Sequence, residues 1–268
     1  MKKHSGTLTE IIEGEHNKTL NALNRYGGNF AHNLRVFQLL ESFLTEFKAP
    51  QDMFLRFYYS VRNFYLLTLF STIRLHHVQS SLNLRQLIES GTDAAYSIAF
   101  PDVKKFAKTD EFGIMDSTDK LKGKRYKWLN KNYPATSKAI LNIKKPVQVS
   151  SHSNLIDTNR GYKFHSSSDG AQIQVSYFDF EDDYMEKTAL WQLANTTLAI
   201  MGLWYEISQS YKSIEVIPKF SEKHSELMQE NQKIKDEVMQ TTRFQKADTL
   251  ARTREIKRQQ VKKTGGTN

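Results

Sequence analysis

Apolar positions in the first hundred residues recur at three- and four-residue spacings, the period of amphipathic helices. Leu8, Ile11, Ile12, Leu20 and Leu23 predict a first helix ending near Gly27-Gly28. Phe30, Leu34, Phe37, Leu40, Leu44 and Phe47 predict a second that Pro50 ends. From Met53 to about His77 the chain is apolar on nearly every side, the pattern of a helix at the centre of a bundle. Ser80 and Ser81 are placed to break or cap the chain there. Leu82, Leu84, Leu87, Ile88, Ala95, Tyr96 and Ile98 then predict a helix stopped by Pro101, in which Gly91 marks the close approach of a neighbour.

The pattern changes after Pro101. Residues 102–159 are Lys-rich and polar, with short helices predicted at Lys124–Asn130 and Ala135–Leu141. Between Gly161 and Phe180 the period becomes two. Tyr162 and Phe164 oppose Ile173, Val175 and Tyr177 across Ser166–Gly170, which predicts a β-hairpin at 161–180. Glu181-Asp182-Asp183 opens a long apolar helix, with acids at the positive end of its dipole. Beyond Pro218, Phe220, His224, Leu227, Asn231, Ile234 and Val238 alternate steps of four and three, a short heptad seam with a polar member. Something apolar must cover that seam, either the protein's own body or a second copy.

These elements predict a mainly α fold: a helical bundle with one inserted β-hairpin and a C-terminal extended helix. Residues 1–218 form the helical domain, and 219–268 an exposed, basic helical extension. Within the greasiest stretch, Met53–Leu75, the uncharged run Asn63–Ile73 has eleven residues, short of the roughly 20 a bilayer span needs. No apolar leader follows Met1-Lys2-Lys3. A soluble cytoplasmic protein without a membrane partner is expected.

Composition narrows the chemistry. The 268 residues include no cysteine, which removes disulfides, thiolate metal sites and cysteine nucleophiles. Phosphate loops of the Walker type, dinucleotide glycine motifs, His-Glu-x-x-His and Gly-x-Ser-x-Gly are absent. No cofactor or metal is called for, and His76 and His77 project about 100° apart on a helix, the wrong geometry for sharing an ion. The net charge of +9 is uneven: Arg243–Lys263 holds eight bases and two acids, or +6. Arg243, Lys246, Arg252, Arg254, Lys257 and Arg258 are therefore candidate contacts to RNA or DNA.

Three polar groupings are candidate catalytic residues. Arg85 and Glu89 stand one helical turn apart on one face. His152 lies among hydroxyls in Ser150-Ser151-His152-Ser153. Arg160 and His165 are separated by four residues, a spacing similar to the Arg-x4–6-His motif of HEPN ribonucleases. That resemblance implies a phosphate-holding Arg and an acid–base His cleaving RNA, although the period-two pattern puts this pair on a strand where the family has a helix.

The order of features also resembles a diffuse group of uncharacterised bacterial helical proteins, known as domains of unknown function. The counterparts are Phe64–Leu75, Leu84-Arg85-Gln86-Leu87-Ile88-Glu89 with Ala94-Ala95-Tyr96, Ser150–Ser153, and Ala189–Ile207. The resemblance covers about residues 50–210 and implies a helical fold without an assigned activity. Together these readings favour a bacterial or phage-related protein that binds a partner, either protein or nucleic acid. A homo-oligomer would form through the helix after Pro218. The alternative is a HEPN-like, metal-independent ribonuclease or toxin, and whether the chain is an enzyme stays open.

Overall fold

The computed structural model describes residues 7–47, 51–116, 119–150, 161–167, 170–246, 248–249 and 253. Its helices are α1 (Leu8–Leu20), α2 (Ala22–Tyr26), α3 (Gly28–Glu41), α4 (Asp52–Ile73), α5 (His77–Ala99), α6 (Asp119–Asn132), α7 (Pro134–Ser150), α8 (Asp183–Tyr211) and α9 (Phe220–Gln240). Three antiparallel strand pairs accompany them. β1 (Leu44–Phe47) pairs with β6 (Ile214–Val216), β2 (Lys108–Thr109) with β3 (Met115–Asp116), and β4 (Tyr162–Ser167) with β5 (Gly170–Val175). The fold is mainly α, as the periodicity implies. The β4–β5 hairpin sets Tyr162 opposite Val175 and Phe164 opposite Ile173.

The helix at the centre is α8, which packs on α3, α4, α5, α7 and α9. Trp204 shows why: its ring meets Phe43 and Phe54 edge-on, and its Nε1–H donates to the Gly91 carbonyl at 2.8 Å. A Cβ at Gly91 would stand 2.6 Å from Ile200 Cδ1, so this glycine does permit a close helix contact. Asp182 caps α8, its carboxylate accepting from the Met185 amide, as the acidic run suggests.

Several boundaries differ from the periodic reading. The Met53–His77 segment is not the central helix: Tyr59, Leu67 and Phe70 lie exposed on the outer stripe of α4. α3 ends at Glu41, and the residues up to Phe47 leave helical geometry to pair with β6. The break between α4 and α5 falls at Leu75, whose φ is 65°, and not at Ser80-Ser81. The α5 amide of His77 is capped at 2.6 Å by the carboxylate of Asp179, a partner 102 residues away that no local signal announces. Residues 119–150, expected within a polar insertion, form two full helices. Leu129, Ile140 and Val147 enter the main core, and this apolar face outweighs the lysines on the other side.

The helix after Pro218 does not project as an extension. Phe220, Leu227, Asn231 and Ile234 of α9 are buried against α3 and α8. The His224 Nε2–H donates to the Leu198 carbonyl at 2.9 Å, and the Asn231 amide donates to Asn195 at 3.1 Å. Among the described residues no helix is long and apolar enough to cross a membrane.

Candidate functional site

Positions 85, 89, 93, 96 and 100 follow one another at four- and three-residue steps, so they share one face of α5 and its C-terminal end. α6 and α7 lie across it. Arg85 Nε donates to Glu89 Oε1 at 3.3 Å, as their spacing predicts. Lys144 of α7 reaches the same oxygen at 3.3 Å and donates to the Tyr126 hydroxyl of α6 at 2.9 Å. Burial works against the Glu89 carboxylate, but Lys144 and Arg85 together hold its pKa below the ordinary value. Lys144 is likewise held above its ordinary value, with burial opposed by Tyr126 and Glu89.

One turn further along, Arg125 of α6 forks onto Asp93, with Nε 2.6 Å from Oδ1 and Nη2 3.0 Å from Oδ2. Arg125 is 2% exposed, and its guanidinium sits 5.3 Å from the Phe106 ring centre. Burial dominates at Asp93 and raises its pKa despite Arg125, with Glu89 adding to the rise. Beside this pair Trp128 meets Tyr96 and Phe100 edge-on. Arg125, Trp128 and Leu129 thus form the inward face of α6, fixed by a forked ion pair and an aromatic cluster.

Fixing that face determines what α6 shows to solvent. Lys124, Lys127 and Lys131, spaced three and four, are exposed along one stripe, and none has an ion-pair partner among the described residues. Lys138 and Lys145 of α7 are exposed as well. Residues 102–150 contain twelve bases and five acids, a net +7, whereas 151–242 contain eight bases and fourteen acids, a net −6. Charge along the chain ahead of Arg243 is therefore uneven, with the excess of bases in the segment that forms α6 and α7.

The structure brings Arg85 and Glu89 together and adds Lys144, Tyr126, Asp93 and Arg125, which sequence reasoning missed. His152 and Arg160 lie outside the described residues. His165 is in strand β4, which places it in a pleated ladder and not at a helix. Arg243 bonds to Asp182 and lies 5.0 Å over the Tyr184 ring, while Lys246 is exposed. Arg252, Arg254, Lys257 and Arg258 lie outside the described residues. The surface hollows between β6 and α9 and between α3 and α9 share no residue with the α5–α7 strip. Among the described residues no cluster of His, Asp and Glu is arranged to hold a metal ion. No family model matches the chain, and neither the curated proteins nor the solved structures contain a match.

Proposed function

We propose that this protein acts by binding nucleic acid, with the α6–α7 lobe as the contact surface and the basic residues from Arg243 onward as a second one. The observation that carries the reading is the lysine stripe Lys124, Lys127 and Lys131, held outward by the buried Arg125–Asp93 fork. Lysines spaced along one helix face can contact successive phosphates, and each contact releases condensed counterions. Because the helix is packed and not free, little conformational freedom is lost when it docks. Phosphate contacts of this kind position a backbone without reading bases, so affinity without marked sequence preference is expected.

The test is fluorescence anisotropy with RNA and DNA oligonucleotides at two salt concentrations, comparing the wild type with Lys124→Gln/Lys127→Gln/Lys131→Gln. Binding should weaken steeply with salt. In duplex DNA the triple variant should lower the log–log slope by about 0.9 for each phosphate that a lysine no longer neutralises. A variant that is equally helical and binds with unchanged affinity and slope would reject the α6 stripe as the interface.

A further inference from the structure

The large apolar side chains of α1 turn outward, and its ion pairs turn inward. Leu8, Ile12, Leu20 and, past a single interrupting residue, Leu23 are 73%, 60%, 67% and 55% exposed. Helical hydrogen bonding runs through that interruption, from the Asn21 amide to Asn17 and from the Arg25 amide to Asn21, so Leu23 continues the stripe. The body is contacted through ion pairs and through Gly14, whose Cβ position would stand 3.0 Å from the Phe178 ring. Glu15 accepts from Arg74 at 2.9 Å and bonds His76 at 2.8 Å, and Lys18 lies 4.9 Å over the Phe178 ring. No residue of α1 is buried. An amphipathic helix mounted in this sense leaves its apolar side for something other than its own core.

We propose that this face pairs with the same face of a second copy, the two α1 helices lying antiparallel about a two-fold axis at His16. The spacing supports that occupant. Ile12 and Leu20 stand four residues either side of His16, and Leu8 and Leu23 stand eight and seven either side. A stripe nearly palindromic about its centre meets the requirement of an isologous contact, in which residue i touches j and j touches i. Ile12 then packs on Leu20 of the other copy, and Leu8 beside Leu23. On α4, which α1 contacts, Leu67 and Phe70 are exposed as well.

The absence of cysteine from the chain makes the geometry testable in the full-length protein. Sedimentation should give a concentration-dependent dimer for the wild type and a monomer of unchanged helicity for Ile12→Glu. Under mild oxidation His16→Cys should form a disulfide-linked dimer. Leu8→Cys should not, since in the antiparallel pair the two copies of residue 8 are about 24 Å apart at 1.5 Å per residue, beyond disulfide reach. A wild type that stays monomeric at its highest soluble concentration overturns the proposal, as does an Ile12→Glu variant that still dimerises, or crosslinking of Leu8→Cys as readily as His16→Cys. A monomer that binds phosphatidylcholine vesicles, with binding abolished in Ile12→Glu, would assign the stripe to a lipid surface instead.

Discussion

Helices α1 and α9 carry the same kind of apolar stripe and are mounted in opposite senses. On α9, Phe220, Leu227 and Ile234 turn inward onto α3 and α8, and Phe220 meets Phe43 edge-on at 5.1 Å. On α1 the stripe turns outward, and ion pairs hold the inner side. Amphipathic periodicity therefore indicates that a helix has a face to cover. What covers it depends on what the remaining helices present. α3 and α8 leave an apolar groove for α9. The corner between α4 and α5 presents Arg74 and His76 to α1, and Glu15 pairs with both.

The largest test of this contrast is truncation on each stripe. Phe220→Ala should lower unfolding stability by about 3–5 kcal/mol, the usual range for emptying a buried aromatic site. Ile12→Ala should stay within about 0.5 kcal/mol in dilute, monomeric protein. Urea unfolding measures both, and equal losses would erase the distinction.

A second test uses pH. His32 of α3 is fully buried beneath α9. Burial, together with Arg35, lowers its pKa to about 4, with the Asn231 side chain pulling weakly the other way. Glu230 Oε2 is 3.1 Å from Nδ1, but it is poorly aligned for a hydrogen bond and is also held by Arg35. Because the unfolded chain binds this proton more readily, stability falls as the pH drops from about 6.5 to about 4, by up to about 3 kcal/mol. His32→Gln should flatten the slope in that window. The α1 anchor has its own acid limit. Although burial raises the Glu15 pKa, His76 and Arg74 more than offset it and leave the group below its ordinary 4.5. Its contribution is present above that value and disappears as the pH falls through the lowered one. Acidification followed by hydrogen exchange should therefore loosen α9 before α1. The reverse order would contradict the assigned anchors.

The smallest effect is expected at the α1 anchor itself. Arg74→Ala removes a partly exposed ion pair and should cost about 0–1 kcal/mol globally, while speeding amide exchange within α1. A loss comparable to that of Phe220→Ala would mean that α1 is integrated into the core as deeply as α9.

The Arg85–Glu89 pair was legible in the chain because its geometry is local: four residues along a helix bring two side chains together whatever lies around them. Lys144 and Arg125 were not, because α6 and α7 meet α5 only in the folded chain, where Trp128 packs on Tyr96 and Phe100. Lys124, Lys127 and Lys131 fall at helical spacing, but their shared exposure depends on Arg125 facing inward, which is a tertiary contact.

The same division holds across the molecule. Local periodicity and turn chemistry determined that the chain is mainly helical, that a hairpin follows Gly161, that Gly91 permits a close contact, and that α9 has a face to bury. Tertiary structure decided which helix is central, where α3 and α4 stop, and which way α1 and α9 turn. Helix and hairpin hydrogen bonds join near neighbours, so short-range sequence specifies them. Centrality and facing depend on which surfaces other segments leave uncovered, as Asp179 does in capping α5 from 102 residues away.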